Sequence, residues 1–174
     1  MGGDAFIYDP KANNWAVTAP MVKQRAYASS VRLKDGHILV AGGIAADGVP
    51  VWHVIANVEI YDPDLNSWGA TASLSEARFA YILSLLPNGQ VLAIGGTRDH
   101  DSNWGTGSFV RDVEVYDTSA NGWQKVDEIP QPSAFAAAAL FHDGRLWVTG
   151  GYDGPSGESI SKATWIIAPI HLQP

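Results

Sequence analysis

Charged and aromatic residues of the kinds that bind ligands are concentrated in three long segments of unlike sequence, 44–55, 97–110 and 152–162. Long, divergent loops on a rigid scaffold are where binding residues are usually found. We therefore expect these segments to form one binding face. The candidate residues that they contribute are Trp52, His53, Arg98, Asp99, His100, Trp104, Tyr152 and Asp153.

The run Asp99-His100-Asp101 has the residue types of a metal site or an acid–base pair, but its spacing favours neither. Three consecutive side chains seldom point at one ion, and no second histidine stands at ligand spacing. A solvated loop tip is therefore the favoured interpretation. Because the chain has no cysteine, thiolate zinc sites, disulfides and cysteine nucleophiles are excluded. No metal ion or other cofactor is expected.

The aromatic residues of the same segments leave two interpretations open. Trp52 with His53 could contact a sugar or a peptide, or could pack within its own loop. Trp104 lies between glycine-rich stretches and is the strongest candidate for an exposed aromatic residue that contacts a ligand. Tyrosine and tryptophan suit such positions because each combines a large apolar ring with a polar group.

The elements that must position these loops repeat along the chain. Segment 36–43 recurs as 89–96 and 144–151, and each copy ends in two glycines. A Tyr-Asp pair followed by a tryptophan keeps the same step of about 50 residues, which is typical of one propeller blade per repeat. The members of this second motif are Tyr8 and Trp15, Tyr61 and Trp68, and Tyr116 and Trp123.

Each repeat predicts four antiparallel strands. Inner strands are expected at 25–33, 78–86 and 133–141, and each leads into an Asp-Gly or Asn-Gly turn with positive φ at both central positions. The second strand ends at the paired glycines. In the third strand, alternation is expected to place Glu59 and Glu114 on a solvated side or at the sheet edge. No segment has the pattern of an ordinary helix.

On these motifs the chain resembles the kelch family over nearly its whole length. The resemblance implies an all-β fold of kelch-type β-propeller blades, each a four-stranded antiparallel sheet. It also implies that the long-loop face, near the central channel, holds the partner site. The residues that carry the resemblance are Arg25 and Arg78, the three Gly-Gly pairs, Tyr61, Tyr116, Trp15, Trp68 and Trp123.

Arg25 and Arg78 each open a repeat at the long-loop face, and two roles are open for them. A repeated arginine can pair with acidic and backbone groups between blades. It can also face a ligand, in which case forked hydrogen bonds would favour a carboxylate. Ser133 stands where a third arginine would be, so a ring of arginines is incomplete.

The strands are too few to close a ring. We expect a partial blade at 5–19, blades at 25–73 and 78–127, and an incomplete blade at 133–169, or about three blades in all. A propeller typically has at least four. A second copy would complete a six-bladed homodimer, although both ends then supply a third strand to the seam. The alternative is a fragment of a larger propeller.

Function is less constrained than fold. The favoured interpretation is a non-catalytic binding or assembly module for a protein, peptide or carbohydrate. The alternative is a sugar-processing enzyme, of the isomerase or mutarotase kind, with acid–base residues at the channel. A net charge of −7 argues against nucleic acid. No apolar run suits a membrane span and no signal peptide is visible, so the compartment stays open.

Overall fold

The computed structural model describes residues 5–46, 52–98, 109–152 and 160–168, and their regular elements are all β-strands. In chain order the strands are β1 (Phe6–Asp9), β2 (Asn14–Val17), β3 (Ser29–Arg32), β4 (Ile38–Ala41), β5 (Ile44–Ala45), β6 (His53–Val54), β7 (Val58–Asp62), β8 (Ser67–Thr71), β9 (Ile82–Leu85), β10 (Val91–Ile94), β11 (Asp112–Asp117), β12 (Gly122–Glu128), β13 (Ala137–Leu140), β14 (Leu146–Thr149) and β15 (Thr164–Ile167). The described residues include no helix long and apolar enough to cross a membrane.

The strands form antiparallel sheets in the order of the sequence repeats. Sheet I has the order β3-β4-β7-β8 and sheet II the order β9-β10-β11-β12. Sheet III comprises β13-β14-β15, and β1 pairs with β2 in a separate hairpin. The short strands β5 and β6 pair at the start and end of the first long loop. The all-β architecture of propeller-type sheets is confirmed.

The inner strands are shorter than the sequence pattern predicts. They begin at Ser29, Ile82 and Ala137, four residues after the start that was expected. The reason is a left-handed residue in each repeat, Tyr27, Ala80 or Phe135, with φ between 53 and 57°. A residue in this conformation cannot continue a strand ladder, so regular pairing starts only beyond it.

The tight turns between the first and second strands also differ from the prediction. At the first of them the Gly36 amide donates to the Leu33 carbonyl at 3.1 Å, and only the glycine has positive φ. Gly89 and Gly144 repeat this geometry. The prediction of a two-residue turn with positive φ at both central positions was wrong. The loop is one residue longer than such a turn, and a single glycine with positive φ closes it.

Two apolar clusters hold the sheets face to face. One lies between sheets I and II and includes Leu39, Val58, Leu74 and Tyr116. The other lies between sheets II and III and includes Leu92, Val113, Ile129 and Val148. A sheet can bury both of its faces only if another sheet packs on each side of it. Sheet II meets this condition, because sheet I packs on one face and sheet III on the other.

A repeated corner fixes the outer strands. In sheet I the Tyr61 hydroxyl donates to the Asn66 carboxamide at 2.9 Å, and the Tyr61 and Trp68 rings lie 5.1 Å apart. The Trp68 indole then donates to the Ala19 carbonyl at 2.9 Å, which ties the linker from the preceding hairpin to the sheet. In sheet II, Trp123 donates to the Ala72 carbonyl at 3.0 Å in the same way.

Candidate functional site

Arg78 is buried completely inside sheet II, at 0 % exposure. Its guanidinium forms a short hydrogen-bonded ion pair with Glu114 and donates to the carbonyls of Gly95 and Asp112 at 3.3 and 3.2 Å. The second carboxylate oxygen of Glu114 accepts a hydrogen bond from the Ser75 amide at 2.9 Å. The pair thus joins the inner strand, the third strand and the linker of one blade.

Arg25 repeats this arrangement in sheet I. It pairs with Glu59 and donates to the Gly42 and Asn57 carbonyls at 3.1 and 2.6 Å. Glu59 in turn accepts from the linker amides of Val22 and Lys23. Neither guanidinium reaches the surface of the described residues. Of the two roles that the sequence left open for these arginines, the geometry therefore supports the structural one.

The prediction that Glu59 and Glu114 lie on a solvated side was wrong. Both carboxylates are buried, at 2 % and 0 % exposure. Alternation gave the correct side of the strand, but that side faces an arginine and the linker amides rather than water. A buried carboxylate requires such partners, since an unpaired one would carry a large desolvation cost.

Sheet III replaces both members of the pair together. Ser133 occupies the arginine position and donates to the Gly150 carbonyl at 3.3 Å. Trp165 stands opposite Val148, as Glu59 stands opposite Val40 and Glu114 opposite Ala93. With a neutral residue at the arginine position and an apolar one at the carboxylate position, sheet III has no buried ion pair at this place.

Four aromatic side chains form a continuous row across the start of the long-loop face. We call Tyr27, Phe79, Phe135 and Tyr152 the aromatic row. Successive ring centroids in it lie 6.1, 6.2 and 5.9 Å apart. Phe79 is fully buried, whereas Tyr27, Phe135 and Tyr152 are 60 %, 42 % and 39 % exposed. The row therefore presents three rings to solvent on a rigid base.

The backbone that holds the row is the same in each repeat. Ala26, Phe79 and Ala134 form isolated bridges with Ile44, Thr97 and Tyr152, the first residues of the long loops. The next residue in each case is the left-handed Tyr27, Ala80 or Phe135. This conformation turns the side chain out of the sheet, and two of the three repeats place an aromatic ring there. Backbone strain at a large residue is frequently found at functional positions.

Other predicted site residues lie on the same face. Trp52 is exposed, and His53 lies in β6, paired with Ala45. Arg98 forms a half-exposed ion pair with Glu76, with 3.0 Å between Nε and Oε2. Tyr152 belongs to the aromatic row. Asp99, His100, Trp104 and Asp153 lie outside the described residues.

Metal-binding geometry is absent from the part of the chain that the structure describes, where no three acidic or histidine side chains are grouped to hold an ion. Sequence reasoning missed Tyr27, Phe79 and Phe135. A signal was present, because Tyr27 and Phe135 occupy the same position two residues after Arg25 and Ser133. It was overlooked because these residues were assigned to the inner strand, where an aromatic side chain suggests core.

Comparison with known proteins agrees with the repeat. The family profile described as Kelch motif matches residues 79–128. Beta-scruin of Limulus polyphemus is 28 % identical over 152 residues, which are 86 % of this chain and 16 % of scruin. Kelch-like protein 25 of Xenopus tropicalis is 31 % identical over 85 % of this chain and 24 % of its own length. The chain thus spans a quarter or less of these curated relatives.

A solved structure described as the structure of YjhT has the same fold. It superimposes with a TM-score of 0.78 at 20 % sequence identity. The match covers 98 % of this chain and 60 % of that one. At this identity the likeness concerns the fold alone.

Proposed function

Because the chain belongs to the kelch-repeat family, we propose that it is a binding module that captures an extended segment of a protein partner on its aromatic row. Kelch repeats are typical of β-propeller protein-interaction modules. The partner site would lie on the long-loop face, with Trp52 and His53 at its margin.

The observation that carries the proposal is the exposure of Tyr27, Phe135 and Tyr152 over the buried ring of Phe79. Binding energy at protein interfaces is concentrated in a few aromatic and arginine side chains. Rings held by a fixed backbone lose little conformational entropy on binding, so more of the contact energy appears as affinity.

The spacing of the row favours an extended polypeptide as the ligand. Alternate side chains on one face of an extended strand recur about every 6.6 Å. Ring centroids in the row are separated by 5.9 to 6.2 Å, which is close to that repeat. Two alternate apolar side chains of a bound segment could therefore meet the neighbouring exposed rings of Phe135 and Tyr152, while a side chain further along the segment would meet Tyr27 beyond the buried ring of Phe79.

Selection from a displayed library of random peptides would test the proposal. We expect the parent protein to enrich peptides with apolar residues at alternate positions. The same peptides should bind the Tyr27→Ala and Phe135→Ala variants at least tenfold more weakly. Leu65→Ala is the matched control, because Leu65 is an exposed apolar residue in the β7–β8 turn at the opposite end of sheet I.

The outcomes separate the possible ligands. Enrichment of peptides that bind parent and variants equally would refute the aromatic row as the site. Binding to an array of glycans, with no peptide enriched, would refute a polypeptide ligand and favour a carbohydrate. Thermal melting of every variant, monitored by circular dichroism, would separate loss of binding from loss of fold.

A further inference from the structure

Three left-handed residues hold the same place in successive sheets: Tyr27 in sheet I, Ala80 in sheet II and Phe135 in sheet III. Their φ angles of 55, 53 and 57° nearly agree, so their side chains leave the backbone in the same direction relative to each sheet. The first and third are aromatic rings, 60 % and 42 % exposed, whereas the middle one is a half-buried alanine. Sheet II thus presents a methyl group where both neighbouring sheets present a ring.

Hydrogen bonds between the sheets fix the spacing of these three positions. The Phe135 amide donates to the Ala80 carbonyl at 2.8 Å, which joins sheets II and III at this level. The Ser29 hydroxyl donates to the Tyr81 carbonyl at 2.7 Å, which joins sheets I and II in the residues that follow. Because both contacts are made to backbone carbonyls, a change of side chain at Ala80 should leave the spacing as it is.

The rings of Tyr27 and Phe135 flank a gap on the long-loop face. Two steps of the aromatic row, 6.1 and 6.2 Å long, separate them, and the ring between them belongs to Phe79. Phe79 is completely buried, so it supports the two exposed rings from below without reaching the surface. We call the surface between the two exposed rings, where Ala80 stands, the slot.

The slot matches one position of an extended polypeptide laid along the row. Side chains on one face of an extended strand recur about every 6.6 Å, so residues i and i+4 lie ~13 Å apart with residue i+2 halfway between them. Two steps of the row have nearly this length. A segment whose residue i meets Tyr27 and whose residue i+4 meets Phe135 therefore places residue i+2 at the slot.

We infer that the slot receives one large apolar side chain of the partner segment, and that Ala80 is the residue that selects for its size. The inference rests on the proposed function, because it concerns the same segment on the same row. Leucine at i+2 would contact a ring on each side, whereas alanine there would leave both rings without partner atoms on one side. Each buried CH₂ group is worth about a fourfold gain in affinity, so leucine should bind at least tenfold more tightly than alanine.

The small side chain of Ala80 is what keeps the slot open. Tyr27 and Phe135 show that the backbone accepts an aromatic residue at this place with φ near 55°. Ala80→Phe would therefore set a third ring between the other two and fill the slot with the protein's own side chain. Such a variant should lose its preference for a large residue at i+2, since specificity is a difference between two affinities.

Titration calorimetry with one peptide enriched by the parent protein tests the inference. Each apolar residue of the peptide is replaced by alanine in turn, and with the parent one central replacement should weaken binding at least tenfold. Ala80→Phe should bind the original peptide at least tenfold more weakly than the parent does, and the same central replacement should then cost less than twofold. Ala80→Gly is the matched control, because glycine suits a positive φ and leaves the slot open, so it should keep the preference of the parent.

Thermal melting, monitored by circular dichroism, establishes that each variant folds. If Ala80→Phe melts well below the parent, Ala80→Met takes its place in the same titrations. The methionine side chain is flexible and fills a gap without the fixed outline of a ring.

The outcomes separate the slot from the row. If Ala80→Phe binds the original peptide as tightly as the parent while Tyr27→Ala binds it more weakly, the slot is refuted and the proposed function stands. An equal loss in Ala80→Phe for the original peptide and for its central alanine version would also refute selection by Ala80. Unchanged binding to both Tyr27→Ala and Phe135→Ala would refute the proposed function, and the slot with it.

Discussion

Replacement of Arg78 by alanine should destabilise the protein strongly. The substitution removes the buried partner of Glu114 and three hydrogen bonds, and it leaves a buried carboxylate with the Ser75 amide as its remaining partner. Breaking a buried ion pair in this way costs about 3–5 kcal/mol. For a chain of this size, 1 kcal/mol corresponds to about 2–4 °C in melting temperature, so we expect a fall of roughly 6–20 °C.

Thermal and urea unfolding of matched variants would measure this effect. Arg145→Ala breaks an exposed ion pair with Asp143 and should cost at most about 1 kcal/mol. Replacing both charges, Arg78→Met with Glu114→Leu, should recover part of the loss because it removes the unpaired charge, much as Ser133 and Trp165 do in sheet III. An Arg78→Ala variant that melts within 2 °C of the parent would refute the scaffold role of the pair.

Three further substitutions test separate parts of the structure. Tyr27→Gly should change the melting temperature little, since the lost ring contacts are offset by relief of strain worth about 1 kcal/mol at φ 55°, whereas Phe79→Ala should cost about 3–5 kcal/mol; equal losses would contradict this. Gly95→Ala, whose Cβ would lie 2.5 Å from a backbone oxygen, should lose about 2 kcal/mol or more in urea unfolding, and a neutral result would contradict the contact between blades. The Asp35 carboxylate, 3.0 Å from Nδ1 of His37, raises the pKa of that imidazole. The contribution of the His37–Asp35 pair to stability should therefore be full below pH 6.5 and be lost as the pH rises through the folded-state pKa of His37. NMR titration of His37 should give a midpoint above 6.5 that falls in Asp35→Asn, and an unchanged midpoint would contradict the pairing.

The scaffold was largely predictable because it repeats. Tyr61 and Tyr116 are buried as their fixed spacing indicates, and the paired glycines lie where neighbouring sheets approach. The ion pairs were not predicted. Strand alternation assigns Glu59 and Glu114 to a side of the sheet, but whether that side is wet depends on which residue of a distant strand reaches it.

The binding face that we propose follows from the sequence as three loops rather than as individual residues. The segments 44–55, 97–110 and 152–162 were chosen for their length and variation, which is why Tyr152 was included. Tyr27 and Phe135 were missed because a single left-handed residue at each position ends the strand early, and periodicity does not reveal it. The exposure of Trp15 was also hidden, since its motif matches that of the partly buried Trp68.

The central claim is that the aromatic row is the surface that binds a polypeptide. Its most direct test is titration calorimetry of one selected peptide against the parent, Tyr27→Ala, Phe135→Ala and Leu65→Ala proteins. The account predicts at least tenfold weaker binding for the two row variants, unchanged binding for Leu65→Ala, and similar melting temperatures for all four. Equal affinity across the four folded proteins would contradict it.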